Sequence, residues 1–244
     1  MFFLSSFVSP SAAVKGIIAD HVLIFGPSTV GEGTFIGSYC VLGFPVRKKL
    51  VELIKKTVKA SPMSIDFEAF DVNNEGVKIA LDCIIRNNTT IYERVEIEDK
   101  VETGHQVFIR EDTKIGSETR IGTGTIIDGN VTIGRNCNIQ SMAYLPPKTV
   151  LRDNVFIGPC MTVTNDKYPF SGVLEGVTIE DEAIIGAGTI LISGVTVGKR
   201  AVIGAGAVVV KDVPPDMVFG GLPAKKMTTR ALYDEKQLKY RKKI

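Results

Sequence analysis

The run Lys114-Ile115-Gly116-Ser117-Glu118-Thr119-Arg120-Ile121-Gly122-Thr123-Gly124-Thr125-Ile126-Ile127-Asp128-Gly129-Asn130-Val131-Thr132-Ile133-Gly134 returns to isoleucine at every sixth position. The rhythm extends in both directions. Ile79, Ile85, Ile91, Ile97 and Ile109 precede it in register, and Ile139, Leu145, Leu151, Ile157 and Val163 follow, with Thr103 alone breaking the aliphatic series. Four residues after each of these comes a small or β-branched side chain, among them Cys83, Thr89, Val95, Val101, Val107, Thr119, Val131, Cys137, Ala143 and Val155, with Met161 the bulky exception. A second register is therefore locked to the first.

A period of six matches neither the 3.6 of a helix nor the alternation of a simple strand. It describes short strands joined by turns, each with one aliphatic side chain facing inward, three to a triangular coil. Successive coils stack at the parallel-strand spacing of about 4.8 Å, so that backbone donors and acceptors are satisfied by the coils above and below. Gly116, Gly122, Gly134, Gly158, Gly186, Gly198 and Gly204 are expected to relieve the turns. The sixfold pattern makes the chain all-β, a parallel β-helix.

The same rhythm appears as Ile18, Ile24, Val30, Ile36 and Leu42, and again as Ile179, Ile185, Leu191, Val197, Ile203 and Val209, both out of phase with the middle block. A phase slip means inserted residues, so Gly43–Lys78 and Thr164–Thr178 are expected to leave the repeat. In the first, Val46, Leu50, Leu53, Ile54 and Val58 predict a short amphipathic helix over 46–59, ended by Pro62. It either covers the side of the β-helix or walls an acceptor site. After Val213-Pro214-Pro215-Asp216 and Gly220-Gly221-Leu222-Pro223-Ala224, a surface helix is expected from Thr228 to about Arg241. The resulting division is a β-helix over 1–222 and a helical tail over 223–244.

Composition narrows the function. The 29 basic and 27 acidic residues leave a net charge of +2, which gives no long-range field toward nucleic acid or an anionic membrane. The opening Met1-Phe2-Phe3-Leu4 lacks a basic leader, and no apolar window could span a bilayer, so a soluble cytoplasmic protein is expected. Cys40, Cys83, Cys137 and Cys160 show no paired spacing, which argues against disulfides or a zinc site; they are expected to be reduced and buried. No metal is expected.

Gly186-Ala187-Gly188-Thr189-Ile190, Gly204-Ala205-Gly206-Ala207-Val208-Val209-Val210-Lys211-Asp212-Val213-Pro214-Pro215 and Gly221-Leu222-Pro223-Ala224 together resemble the closing pattern of the bacterial transferase hexapeptide family. These are left-handed β-helix acyltransferases. Gly104-His105-Gln106-Val107, Phe156-Ile157-Gly158-Pro159 and Thr164-Asn165-Asp166-Lys167-Tyr168-Pro169 are similar to members that acetylate amino sugars on nucleotide carriers. The resemblance implies a left-handed coil, a homotrimer, and acetyl-CoA in the groove between neighbours, with a nucleotide amino sugar at the thioester end. It implies that Gly186, Ala187, Gly204 and Ala205 line the pantetheine arm and that Lys211, Lys225 and Lys226 meet the CoA phosphates.

Acyl transfer from a thioester needs a nucleophile, a group to take its proton, and donors for the developing oxyanion. Only His21 and His105 exist, and His105 follows the Thr103 interruption, which makes it the candidate base. Asn165 and Asp166, at the mouth of the second excursion, are candidates for orienting the acceptor, although Asx residues also form turns there. The rival functions are O-acetyl transfer, a scaffold subunit that has lost its site, and a γ-type carbonic anhydrase. The last needs three histidines around a metal, which two distant ones do not supply.

Overall fold

The computed structural model describes residues 6–60 and 66–242; the opening Met1-Phe2-Phe3-Leu4 and the helix-ending Pro62 lie outside them. The chain coils into a left-handed parallel β-helix with three sheets. Among the described residues sheet A has 10 strands, sheet B 9 and sheet C 11. The chain visits A, B and C in turn. Within the regular block each strand pairs in parallel with the one 18 residues on, as in Phe108↔Ile126, Lys114↔Thr132 and Arg120↔Asn138, which is three hexads per coil.

The sixfold aliphatics fill the tube. Ile85, Ile91, Ile109, Ile127, Leu145, Ile157, Ile185 and Leu191 have no exposed surface, and the small register that includes Cys83, Val101, Ala143 and Met161 is buried with them. Both registers therefore point inward, as their spacing requires, and the strand residues between them point out.

The turns work differently from expectation. Gly116, Gly122, Gly158 and Gly186 do not occupy the left-handed backbone region; those positions belong to residues such as Arg94, Gln106, Met142 and Cys160, with φ of 56–63°. The glycines are needed because neighbouring coils touch there. A Cβ on Gly116 would come within 2.7 Å of the Gly134 carbonyl carbon, and one on Gly186 within 2.7 Å of Ala205 Cα. Gly204 is the exception, since a Cβ there would make only ordinary contact at 3.5 Å.

Both excursions leave at one edge, the corner where sheet A passes to sheet B. The first holds helix α1 (Arg47–Ala60) and a 3-10 turn at Phe67–Asp71. The side chain of Val58 is outside the described residues; Leu50 and Leu53 are half-buried as the amphipathic pattern predicts, but Ile54 is exposed. Phe67 and Phe70 pack on Phe25, at ring separations of 6.3 and 5.2 Å, so this excursion covers the side of the coil.

The final segment is not helical throughout. Lys225–Thr229 forms a strand antiparallel to Met217–Gly220, which closes the end of sheet C. Helix α2 (Arg230–Arg241) follows, capped by Thr229 rather than starting at Thr228. Arg230 pins it to the coil by donating to the carbonyls of Glu182 and Arg200 at 3.2 and 2.9 Å. Among the described residues no helix is long and apolar enough to cross a membrane.

Candidate active site

His105 stands exposed at the corner where sheet C passes to sheet A, between the strands Glu102–Thr103 and Phe108–Ile109. The next coil fixes its backbone from both sides. The His105 N–H donates to Thr123 Oγ1 at 3.2 Å, and its carbonyl accepts from Gly124 N–H at 2.9 Å. Gln106 N–H donates back to the Asn87 carbonyl at 3.0 Å. Gly104 is required beside it, because a Cβ there would approach Thr123 Oγ1 to 2.6 Å.

Coil stacking places Thr123, Ser141, Pro159, Ala187 and Ala205 at successive turns of this same corner. Ala187 and Ala205 are thus four and five coils beyond His105, about 19 and 24 Å along the axis. The corner changes character on the way, from Asn87, His105 and Gln106 to Ala187-Gly188 and Ala205-Gly206. A Cβ on Gly188 or Gly206 would meet nothing within 4 Å, so the edge is open there.

Other predicted residues are elsewhere in one chain. Asn165 and Asp166 follow sheet A at the opposite corner, so one chain does not bring them to His105. Asp166 ties its own loop: its Oδ2 accepts Ser171 N–H at 2.8 Å, and its Oδ1 accepts Tyr168 N–H at 2.9 Å and the Ser171 hydroxyl at 2.7 Å. The Ser171 hydroxyl, foremost among these donors, holds its carboxyl below the usual range. The exposed Lys211 lies at that opposite corner too, apart from Lys225 and Lys226, which sit in the closing strand beside the last turn of the His105 corner.

The cysteine expectation needs one correction. Cys40, Cys83 and Cys137 are buried in the tube, but Cys160 is exposed at the His105 corner, because its position in the hexad is a turn and not an inward register. His21 stacks on Tyr39 at 4.8 Å, far along the corner from the glycine-rich end.

Two structural features escaped the sequence reading. Arg86 is bound to Thr103, one coil before His105 (N–H to Oγ1, 3.0 Å). Glu93 is fully buried at the root of the first excursion. Adding 18 to each corner residue would have aligned the column from Asn87 to Pro159, beyond which the second excursion makes the step 28; nothing in the residue types marks Glu93.

Residues 112–147 and 176–211 match the bacterial transferase hexapeptide (six repeats) family. The chain thus carries the hexapeptide repeat of that class of transferases. Among solved structures it is similar to a hexapeptide-repeat-containing acetyltransferase of Vibrio cholerae O1 biovar eltor complexed with acetyl coenzyme A, at 25% identity over 48% of this chain and 70% of that one, TM-score 0.44. It is also similar to the UDP-N-acetylglucosamine O-acyltransferase of Moraxella catarrhalis, at 20% identity over 94% and 77%, TM-score 0.48. A third is the GDP-perosamine N-acetyl transferase of Caulobacter crescentus, in complex with CoA and GDP-perosamine, at 24% identity over 57% and 56%, TM-score 0.36. No curated protein matches the chain.

Proposed function

We propose that this protein is a cytoplasmic, homotrimeric acyltransferase that moves acetyl from acetyl-CoA to an amine of a nucleotide-linked sugar. One observation carries the reading. A single edge of the coil presents His105 at one level and, four and five coils on, the Gly186-Ala187 and Gly204-Ala205 turns that the family pattern assigns to the pantetheine arm. A long, thin donor laid along this edge would have its phosphates near Lys225 and Lys226 and its thioester toward His105.

The chemistry then follows. The acceptor amine attacks the thioester carbonyl, His105 takes the proton the nitrogen sheds, and the C–S bond breaks to release CoA as a thiolate, which is then protonated. A sugar amine is nucleophilic in its neutral form, so His105 accelerates the step without being the sole source of rate.

Surface composition supports assembly around this edge. Ile17 and Phe35 on sheet C, Ile126 and Ile190 on sheet A, and Tyr39 and Met142 on the corner between them are all exposed. The outer face of sheet B instead carries a Lys78–Glu96–Lys114 ion-pair ladder suited to water. One chain leaves Asn165 and Asp166 apart from His105, so a part for them in acceptor binding requires that a neighbouring copy supply them.

The test is direct. Acetyl-CoA should raise the melting temperature by mass action, and a panel of nucleotide-linked amino sugars should release free thiol. His105→Ala should lower turnover about tenfold or more with the oligomer intact. No stabilisation by acetyl-CoA would favour a scaffold subunit.

A further inference from the structure

The single interruption in the aliphatic series rewires the wall just ahead of His105. Along this edge of sheet C, the N–H leaving each strand donates to a backbone carbonyl of the next coil: Gly37 to Ile85, Gly104 to Ile121, Gly122 to Ile139, Gly158 to Ile185 and Gly186 to Ile203, at 2.6–2.8 Å. Arg86 alone departs from this among the described coils. Its N–H donates to Thr103 Oγ1 at 3.0 Å, and the Thr103 carbonyl accepts instead from Arg86 Nη1 at 3.3 Å. The strand pairing shows the same change, for Glu102↔Ile84 is kept and Thr103↔Ile85 is lost.

Packing does not account for Thr103. It is fully buried where Ile85, Ile121, Ile139 and Ile157 serve in the neighbouring coils of the same sheet. The buried hydroxyls of Thr89, Thr113 and Thr149 have no partner, whereas that of Thr103 takes a backbone N–H that an aliphatic residue would have left in the regular ladder. The change falls on the Thr103–Gly104 peptide, which leads into the corner. Gly104 packs on Thr123, whose hydroxyl receives the His105 N–H.

We propose that Thr103 is a positioning residue for His105. By taking the Arg86 N–H on its hydroxyl, it turns its own carbonyl toward the Arg86 guanidinium and so sets the backbone from which the imidazole projects. The inference rests on the reading of His105 as the proton acceptor, but its geometric half can be tested without an acceptor. Thr103→Val is nearly isosteric and returns the position to the aliphatic series, so the fold is kept; Thr103→Ser keeps the hydroxyl.

The experiment has two arms on the full chain. In the first, the imidazole signals of the two histidines are recorded by NMR and assigned with His21→Gln. Thr103→Val should move the His105 signals and leave those of His21, and Thr103→Ser should restore them. Unmoved His105 signals in Thr103→Val overturn the proposal. In the second, turnover is measured with acetyl-CoA and the amino sugar that the panel selects. Thr103→Val should lower kcat about tenfold, with the KM for acetyl-CoA unchanged, and Thr103→Ser should recover most of it. An unchanged kcat, or a loss that serine does not recover, also overturns the proposal. Full turnover in His105→Gln would instead refute the proposed base, while the NMR arm still decides whether Thr103 positions the ring.

Discussion

Lys49 Nζ lies 2.6 Å from Oε2 of Glu93, a carboxylate with no exposed surface. The same carboxylate accepts the N–H groups of Val46 and Glu75, at 3.0 and 2.8 Å. Val46 and Lys49 begin the first excursion and Glu75 ends it. One buried charge therefore holds both ends of the insertion against the coil, and its desolvation is offset because its oxygens meet a cation and two amides.

Glu93→Ala should lower stability by about 2–4 kcal/mol, since it leaves two backbone donors unpaired as well as removing an ion pair. Glu96→Ala, which loses only exposed partners, should cost within about 0.5 kcal/mol. Urea midpoints of the two variants decide the point. Equal midpoints would mean that the excursion is not held through Glu93.

Ile121→Asp puts a carboxylate in the tube, at a position 2% exposed, and among the described residues no lysine, arginine or histidine is buried to meet it. The cost of burying it exceeds what a coil can absorb, and soluble expression should be lost. Folded, soluble variant protein would mean that the inward register is wrong.

How much of this was legible in the sequence can be argued from the same residues. Ile121 declares its direction because five residues intervene before each recurrence, and the phase slips after Leu42 and Val163 mark the excursions. The corner they leave from could not be read, because it depends on how many strands precede each slip around a three-sided coil. Thr103 was visible as an interruption, but its partner Arg86 is 17 residues away and emerges only when coils are stacked. Glu93 looks in sequence like an ordinary turn charge beside Arg94. The glycines misled for a related reason: at Gly116, Gly122, Gly158 and Gly186 inter-coil contact and not backbone conformation selects them.

Thiol accessibility separates the cysteines. Burial pushes Cys40 up to about 11 and raises Cys83 and Cys137 as well, so little thiolate forms at pH 8. Cys160 is exposed in the single chain. A disulfide reagent should therefore leave Cys40, Cys83 and Cys137 slow in the native protein and modify all four thiols in denaturant. Several fast native thiols would contradict the inward register of Cys40, Cys83 and Cys137.

Tyr144 supplies a test at high pH. Burial first, and then the charge of Asp128, which accepts its hydroxyl at 3.1 Å, push the phenol up to about 12. The unfolded phenol ionises near about 10, so this group's contribution to stability is present below that pH and is lost as pH rises toward 12. Ultraviolet titration should show a late phenol that disappears in Tyr144→Phe. Identical titration curves would remove the Tyr144–Asp128 contact.

The most direct measurement is a crystal structure of the protein soaked with CoA. The account predicts CoA lying along the corner between sheets C and A, its pantetheine arm against Gly186-Ala187 and Gly204-Ala205 and its sulfur nearest His105. CoA bound at any other edge, or with its sulfur end pointing away from His105, would contradict it.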